Sequence, residues 1–515
     1  MNFKKSLIEH KGVAFAAIGI INAIPFTFQN LFFLSWFTIA PFFVMLIKSC
    51  ENVLKKSTLF RYIFTFFFFF HFGVYYFFMS LVPLDFVGLG YVPSVILMLF
   101  AWIVLSTLCS LVFSFAFNFI LKLKFSHFNK IIIFSLTFVL IQYIQSLGTY
   151  GFTWSRISLP QSAALPLIQS ASLLGPYFVD LILVLTNAFI AIAYLTKKVR
   201  LFGSIAITVF SLNFLFGAIY MHKGFDISDE RKFSLVQGNI STEEKWSGGP
   251  SYYGYLDESL KLDVYDTIVV WGETAVPTSL NDSKMISKEL KAYTKMTGND
   301  MIVGAFYENQ TGNTLNAAYY ITEGNISNDL YFKRKLVPFG EFLPAEFLLK
   351  NIPFVKDMNL SSRNIFSGDS PRLIDTEDGK IGCLICFDSI FPYLARSTVK
   401  QGAEILVIMT NDSWYKDHPA VYQHNNQARW RAVENGRYVA RAANSGISSF
   451  ISPHGEIIAS LPPLYKGSLT ETLYFSSEKT LYTVVGDIII WLIVGVLLVY
   501  IAFYIKKTIS GSDNR

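Results

Sequence analysis

The stretch KIGCLICFDSIFP, residues 380–392, contains Cys383 and Cys386, two of the four cysteines in this chain of 515 residues. Its apolar residues predict a buried strand that ends at Cys386, with a helix beginning near Pro392. A disulfide is disfavoured, because three residues of strand separate the two Cα atoms by roughly 10 Å and a disulfide needs less than about 7 Å. A zinc site is weakly supported, since the sequence has no second CxxC and no paired histidine motif. We therefore expect Cys383 to be buried strand packing, whereas Cys386 is either an inert thiol or a nucleophile, with nearby helix amides favouring its thiolate.

A thiol nucleophile needs a base and a group that stabilises an oxyanion. Glu273 ends an apolar strand in VVWGETAVP, where a hydrophobic rim can raise its pKa into the range useful for proton transfer. Lys333, in YFKRKLVPFGEFLP, would supply a positive charge beside a developing oxyanion. Glu341 follows eight residues later and could orient either group. Each of these residues also has an ordinary explanation as a surface lysine or a loop glutamate.

Residues 231–470 alternate between short apolar runs and helical patterns. Strands are predicted at 233–240, 267–273, 301–306, 317–321, 381–387, 405–411 and 446–453, and helices at 283–297, 391–403 and 420–437. Near-continuous apolar strands separated by helices are typical of a layered α/β domain whose sheets are covered on their outer faces.

Polar residues follow several of these strands, namely Gln237, Asn239, Glu273, Cys386, Asp388, Asn411 and Asp412. Ligand sites of α/β domains gather at strand ends, so these side chains are predicted to converge on one crevice. The alternative is that they mark only where loops begin.

The rest of the chain is strongly apolar. Hydrophobic residues make up 52% of the sequence, charged residues 16%, and phenylalanine alone contributes 50 residues, which indicates a membrane protein. Eight apolar runs are long enough, or nearly so, to cross roughly 30 Å of hydrocarbon. They are residues 12–28, 31–47, 62–81, 94–119, 131–147, 173–196, 201–221 and 482–505, and the first two could instead form one re-entrant hairpin.

Basic residues fall in alternate loops. Lys and Arg concentrate in residues 1–11, 48–61, 122–130, 197–200 and 506–515, whereas the opposite short loops contain only Arg156. The positive-inside rule then predicts two cytoplasmic termini and an external α/β domain. The net charge of +6 is explained by this topology and does not indicate nucleic-acid binding. We predict a membrane bundle at 1–221, an external domain at 222–481 and a final span with a short tail at 482–515.

Two ionisable residues, His71 and Asp180, fall within predicted spans. Such groups are costly in a bilayer and are often functional. A position near the interface or in a helix contact is the alternative for both.

The motifs WGETAVP, KRKLVPFGEFLP and CFDSIFP, in this order, resemble the nitrilase, or carbon–nitrogen hydrolase, superfamily, whose fold is an αββα sandwich. Three further segments, residues 151–161, 236–246 and 411–455, are similar to the apolipoprotein N-acyltransferase family of bacterial inner-membrane enzymes. That family also has several spans, an external nitrilase-like domain and one closing span. The resemblance covers essentially the whole chain.

The resemblance implies a role for each candidate residue. Cys386 would be the nucleophile, Glu273 the general base, and Lys333 the group that stabilises the oxyanion together with backbone amides after Cys386. The supporting or substrate-binding residues would be Glu341, Trp246, Asp388, Phe387 and Trp414. Two departures stand out: Phe387-Asp388 replaces the usual Tyr-Glu, and Gly272 stands where proline is common.

The activity implied is acyl transfer through a cysteine thioester, with neither metal nor cofactor. The donor would be a membrane phospholipid, typically phosphatidylethanolamine, and the acceptor the N-terminal amine of a diacylglyceryl prolipoprotein. The implied location is the bacterial inner membrane, with the catalytic domain on the periplasmic side. A membrane-tethered amidase and a non-catalytic transporter or receptor are the alternatives, although few charged or broken spans support the latter.

Overall fold

The computed structural model describes residues 2–51, 55–84, 88–246, 249, 251–344, 346, 351 and 365–512, with side chains described from residue 11 to residue 506 of these ranges. The chain divides into two compact units. The first comprises Met1–Met79, Leu97–His222 and Asp487–Arg515, and the second Ser80–Ile96 and Lys223–Gly486. Arg515, one of the basic residues used above to predict topology, lies outside the described residues.

The first unit is built from long apolar helices. Its α-helices, together with the one that enters it from Tyr91, are Asn2–Thr27, Ile39–Glu51, Lys56–Val74, Tyr91–Lys122, His127–Ile144, Ala171–Leu174, Pro176–Thr196, Val199–Tyr220 and Ile488–Ser512. Short 3-10 helices occupy Gln29–Trp36, Tyr76–Leu81, Leu159–Ala163 and Leu165–Leu167. In the described part of the chain, seven helical segments are long and apolar enough to cross a membrane, and Lys11–Thr27 is a shorter apolar segment. The predicted bundle is confirmed, with the predicted span 12–28 matching this shorter segment.

Buried amides connect the helices of the first unit. Asn187 Oδ1 accepts hydrogen bonds from the backbone amides of Ile39 and Ala40 at 3.0 Å each, and its Nδ2 donates to Ser35 O at 2.9 Å. The first amides of a helix have no partner within that helix, so this side chain satisfies two donors at the start of Ile39–Glu51. Asn187 therefore fixes the turn between Gln29–Trp36 and Ile39–Glu51.

The two ionisable residues of the spans also have partners within this unit. His71 Nδ1 lies 3.1 Å from Ser110 Oγ, and Asp180 Oδ1 accepts a hydrogen bond from Ser158 N at 3.0 Å. These contacts support the helix-contact explanation for both residues.

The second unit contains two mixed β-sheets. In the described residues the first sheet consists of β1 (Asp229–Gln237), β2 (Thr267–Trp271), β3 (Val276–Ser279), β4 (Asp300–Glu308), β5 (Thr314–Thr322), β6 (Asn325–Phe332), β7 (Ile365–Phe366) and β14 (Gly467–Phe475). Its main order is β14-β1-β2-β4-β5-β6, with β3 beside β4 and β7 beside β5. Strands β1, β2 and β4 are parallel.

The second sheet consists of β8 (Leu373–Asp375), β9 (Lys380–Ile385), β10 (Ile405–Thr410), β11 (Val439–Ala443), β12 (Ser448–Ile451) and β13 (Ile457–Leu461). Its order is β13-β12-β11-β10-β9-β8, and β9, β10 and β11 are parallel. Each sheet thus has a parallel centre, and the carboxyl ends of parallel strands share one edge.

The two sheets pack face to face, and helices cover their outer faces. Phe233 and Val270 from the first sheet and Cys383 and Val407 from the second belong to one fully buried core. Helices Tyr253–Leu260 and Lys284–Thr297 pack on the outer face of the first sheet, and Pro392–Gln401 and Pro419–Asn435 pack on the second. Short helices lie at Thr242–Trp246 and Leu481–Val485. The predicted αββα sandwich is confirmed.

The three helices predicted within residues 231–470 agree with the structure to within two residues at each end, but several strands were not predicted. Strand β11 escapes the apolar pattern because Arg441 lies in its centre, where Asp412 compensates its charge. Strands β6 and β14 are half-exposed and rich in polar residues, so they lack the continuous apolar run of a central strand. The predicted span 482–505 is also divided, because Gly486, at φ +67°, ends the helix Leu481–Val485.

Candidate active site

Glu273 lies just beyond the end of β2, in a loop held close to the second sheet. Its carboxylate accepts hydrogen bonds from Asn411 N at 3.1 Å and from Asn316 Nδ2 at 2.9 Å. Gly304, on β4 of the first sheet, leaves room for this loop, since a Cβ atom there would lie 2.4 Å from Gly272 O and 3.0 Å from Glu273 Cα. The side chain is therefore fixed from several sides, with only 7% of the residue exposed.

Lys333 follows β6 directly, and its backbone amide donates to Asn316 O on β5 at 2.9 Å. Its Nζ lies between two carboxylates, 2.9 Å from Glu273 Oε1 and 2.8 Å from Glu341 Oε1. The Lys333 side chain is 1% exposed, so the two carboxylates compensate a buried positive charge.

Glu341 is held by the turn that contains it. Its Oε2 accepts a hydrogen bond from Val337 N at 2.8 Å, while its own amide donates to Val337 O at 2.9 Å. Asn316 Nδ2 also lies 3.5 Å from Glu341 Oε1. The structure thus brings Glu273, Lys333 and Glu341 together through Asn316.

Cys386 occupies a strained turn at the end of β9. Its φ is +50°, a left-handed conformation that costs a residue with a side chain about 1 kcal/mol or more. A 3-10 helix, Cys386–Ile390, follows at once, and helix Pro392–Gln401 begins two residues later. The thiol lies close enough to Glu273 and Lys333 to interact electrostatically with both side chains. The turn therefore lifts this cysteine out of the strand and towards the carboxylate and the ammonium.

Cys383 has a different environment, although it is three residues away. It is fully buried in the core between the sheets, and that burial raises the pKa of its thiol to about 12. All four cysteines are among the described residues and all are free. The structure thus agrees with strand packing for Cys383 and contains no disulfide at these positions.

Asp388 connects the cysteine turn to the lysine loop. Its carboxylate accepts hydrogen bonds from Ile385 N at 3.0 Å, Lys335 N at 2.7 Å and Tyr331 Oη at 2.7 Å. A weaker bond comes from Arg334 N at 3.2 Å. Asp388 is fully buried, and its short bonds show that the shorter side chain still spans the two loops. It therefore fixes the residues before Cys386 relative to those after Lys333.

The electrostatics give the two glutamates different states. Burial alone would raise the pKa of Glu273, but the Lys333 ammonium holds that pKa below its usual value. Burial raises the pKa of Glu341, and Lys333 opposes this only in part. The Lys333 pKa is well above its usual range, because the two carboxylates outweigh the effect of burial. Glu273 is thus the carboxylate of the pair that stays ionised most readily.

The thiol of Cys386 stays protonated at neutral pH. Burial raises its pKa above the usual value, Glu273 raises it further, and Lys333 lowers it only in part. A protonated thiol beside an ionised carboxylate is the starting arrangement for general-base activation.

The aromatic residues predicted to support the site lie on three elements. Trp246 ends the helix Thr242–Trp246, with its ring centroid 6.3 Å from that of Phe306. Phe387 is buried beside Phe391, at 5.2 Å between centroids. Trp414 is half-buried in the turn Ser413–Tyr415. Trp246 is connected to the site through its neighbour Lys245, whose Nζ donates to Glu273 O at 3.0 Å.

Two predicted crevice residues have other partners. Gln237 Nε2 donates to Pro462 O and Tyr465 O at 2.8 Å each, and Asn239 Nδ2 donates to Leu464 O at 2.9 Å. Both side chains are therefore held by the loop around residues 462–465. Asn411 does reach the site, because its backbone amide donates to Glu273. Asp412 is connected to the site through His424, which it contacts at 2.8 Å.

Several site residues were missed by the sequence reasoning. Asn316 lies inside β5, where a polar residue in a largely apolar strand is the available signal, whereas Tyr331 lies in β6, whose many polar residues hide such a signal. Lys245 and Arg334 resemble ordinary surface cations in the sequence. In the described part of the chain no group of three or more His, Cys, Asp or Glu residues is arranged to hold a metal ion.

Comparisons with known proteins identify both parts of the chain. The carbon–nitrogen hydrolase family model matches residues 263–480, and the model of the apolipoprotein N-acyltransferase N-terminal domain matches residues 18–189. Apolipoprotein N-acyltransferase of Geobacter metallireducens is 28% identical over 384 residues, which are 70% of this chain and 72% of that one. The enzyme of the same name from Pasteurella multocida is 33% identical over 273 residues, 50% of this chain and 51% of that one.

Among solved structures, a carbon–nitrogen hydrolase superfamily protein from Xanthomonas campestris is 20% identical, covers 47% of this chain and 90% of its own, and has a TM-score of 0.37.

The αββα fold and the match over 263–480 define the second unit as a carbon–nitrogen hydrolase domain. This domain is joined to a bundle of apolar helices that matches a second, more restricted family model. The chain belongs to the apolipoprotein N-acyltransferase family.

Proposed function

We propose that this multi-pass membrane protein transfers an acyl chain from a membrane phospholipid to the N-terminal amine of a diacylglyceryl-cysteine lipoprotein, through a thioester on Cys386. The observation that carries the proposal is the placement of a protonated thiol beside Glu273 and Lys333, in a domain joined to membrane helices.

In the first half-reaction the Cys386 thiol attacks the ester carbon of the phospholipid, and Glu273 takes the thiol proton. The resulting oxyanion is stabilised by Lys333 and by the backbone amide that follows Cys386. Collapse breaks the ester C–O bond, and Glu273 returns the proton to the departing oxygen. Lysophospholipid leaves, and the acyl chain remains as a thioester.

In the second half-reaction the lipoprotein amine attacks the thioester carbon. Glu273 accepts a proton from the amine, the C–S bond breaks, and the thiol of Cys386 is restored when that proton is returned. The product is an amide. Glu341 holds Lys333 in position through the 2.8 Å contact, so the ammonium group faces the same oxygen in both steps. Trp246, Phe387 and Trp414 are apolar or aromatic side chains suited to contact the substrates.

The membrane helices explain how the substrates reach the site. Donor and acceptor are both anchored in a bilayer, so a catalytic domain joined to spans meets them without extracting either into water. The concentration of Lys and Arg in alternate loops supports cytoplasmic termini and a catalytic domain on the periplasmic side of a bacterial inner membrane. We propose phosphatidylethanolamine as the donor, and the residues 1–221, 222–481 and 482–515 as the functional divisions of the chain.

Intact-mass spectrometry tests this proposal. The purified protein in detergent is incubated with phosphatidylethanolamine, alongside Cys386→Ala and Cys383→Ala. We expect a hydroxylamine-labile acyl adduct on the protein that is absent only in Cys386→Ala. Addition of a synthetic diacylglyceryl lipopeptide should remove this adduct, and the mass of the lipopeptide should increase by that of the acyl group. Hydrolysis of small amides without any acyl adduct would instead identify a membrane-tethered amidase.

A further inference from the structure

The carbonyl oxygen of Cys386 is bound by side chains that the mechanism above does not use. Ser389 Oγ donates a hydrogen bond to Cys386 O at 2.7 Å. His424 Nε2, from the helix Pro419–Asn435, lies 3.1 Å from Ser389 Oγ and 3.4 Å from the same carbonyl oxygen. Ser389 is fully buried and His424 is 2% exposed, so these contacts are shielded from water.

The cluster continues to a buried carboxylate. His424 Nδ1 lies 2.8 Å from Asp412 Oδ1, and Asp412 Oδ2 accepts a hydrogen bond from Arg441 at 2.8 Å. Burial would raise the pKa of Asp412, but Arg441 and His424 hold it well below its usual value, so the carboxylate is ionised and can only accept. The proton between Asp412 and His424 is therefore carried by Nδ1, which fixes the orientation of the imidazole ring.

The bound oxygen belongs to the peptide unit that contains the amide of Phe387. A trans peptide is planar, and its C=O and N–H point in opposite directions, so fixing the Cys386 oxygen also fixes the direction of the Phe387 N–H. A hydrogen bond accepted by the oxygen also polarises the unit and strengthens the N–H as a donor. This amide is the one that the proposed function assigns to the oxyanion.

The left-handed turn gives the cluster a second role. With φ of +50° at Cys386, the following peptide is held in an orientation that the free chain rarely adopts. Asp388 holds the peptide before Cys386 through Ile385 N, whereas Ser389 Oγ, which also contacts His424 Nε2 at 3.1 Å, holds the peptide after it. The cysteine is thus fixed on both sides by different side chains.

We propose that Ser389, His424 and Asp412 are positioning residues that orient and polarise the Cys386–Phe387 peptide for oxyanion binding. This inference rests on the proposed function, because it concerns the oxyanion formed when Cys386 is acylated. On this proposal the cluster helps to stabilise the tetrahedral intermediate, and it does not change the reactivity of the Cys386 thiol.

Two reactions of Cys386 separate these roles. Acylation by a phospholipid passes through an oxyanion, whereas alkylation by iodoacetamide displaces iodide at a saturated carbon and forms none. In Ser389→Ala we expect the rate of acyl-adduct formation to fall about tenfold, less than the 10²- to 10³-fold typical of losing a direct oxyanion donor. The alkylation rate of Cys386 should stay within about twofold of the unmodified protein. In His424→Gln, too, we expect acyl-adduct formation to slow while the alkylation rate of Cys386 stays nearly unchanged.

Ser476→Ala is the matched control, because Ser476 is buried and its Oγ has no hydrogen-bond partner within the described residues. Both rates should be unchanged in it. A parallel fall in acylation and alkylation in Ser389→Ala and His424→Gln would mean a general structural role and overturn the inference, as would unchanged acylation in both. No acyl adduct on the unmodified protein would contradict the proposed function itself, which is a distinguishable result.

Discussion

Lys333 Nζ lies 2.9 Å from Glu273 Oε1, and both side chains are almost completely buried. Removing a buried ammonium from water is costly, and a single carboxylate rarely compensates it fully. The second carboxylate, on Glu341, completes the compensation at 2.8 Å. The consequence is a site with one ionised base, one fixed positive charge and a neutral thiol.

Replacing Glu273 by glutamine tests its role as the base. In Glu273→Gln we expect acyl-adduct formation to fall by about 10² to 10⁴, the range for losing a general base. The Cys386 pKa should fall at the same time, because the carboxylate that raises it is gone while Lys333 remains. Alkylation by iodoacetamide at pH 7 should therefore be at least as fast as in the unmodified protein. A slow alkylation with slow acylation would instead point to misfolding.

The pH dependence of acylation follows from the same shifts. Acylation needs Glu273 ionised, and its pKa lies below the usual value, so acidification from pH 7 to pH 5 should not remove the base. Alkylation needs the thiolate, and the Cys386 pKa lies above the usual value, so alkylation should still rise with pH above 9. Single-turnover rates of both reactions across this range check the prediction. An acid limb near pH 6 in acylation would contradict it.

The two cysteines of the opening motif should behave differently on substitution. Cys386→Ala should abolish acylation, whereas Cys383→Ala should retain it and lose about 1 kcal/mol of stability, because it removes one buried sulfur from the core. Thermal unfolding and the acyl-adduct assay measure the two effects. Retained acylation in Cys386→Ala would exclude it as the nucleophile.

Asp388→Asn should separate the two loops that this carboxylate joins. The amide has one oxygen to replace two, so it cannot accept from Ile385 N, Lys335 N and Tyr331 Oη together. A buried donor left unpaired costs about 1–3 kcal/mol. We expect a lower midpoint of thermal unfolding and slower acylation. Asp388→Glu, which keeps the carboxylate, should retain more of both.

Gly304→Ala should displace the Glu273 loop. The added Cβ would lie 2.4 Å from Gly272 O and 2.7 Å from Thr274 N, which are backbone atoms that cannot rotate away. We expect reduced stability and at least a tenfold loss of acylation, since misplacing a catalytic group by about 1 Å can cost 10²-fold. Gly203→Ala is the control, because its nearest neighbour would be a side-chain atom at 3.8 Å. Equal effects of both substitutions would remove the steric explanation.

The sequence by itself determined the apolar helices, the central strands, and the motifs around Glu273, Lys333 and Cys386. These features are local: hydrophobic periodicity and strand-ending polar residues can be read over a few neighbours. Strand β11 was missed because an arginine in a short segment predicts an exposed position. Only the ion pair with Asp412 explains why Arg441 is buried.

Only the tertiary structure decided which polar residues meet. Asn316 lies 43 residues from its partner Glu273, and Lys245 lies 28 residues from the same glutamate, so no spacing rule connects either pair. Ser389 lies only 3 residues from Cys386, but its contact with the cysteine carbonyl depends on the turn between them. The sign of the Glu273 pKa shift was decided there too. The sequence suggested a raised value from a hydrophobic rim, whereas the Lys333 ammonium at 2.9 Å reverses it. Burial and charge act over a few ångströms in space, and the fold alone sets those distances.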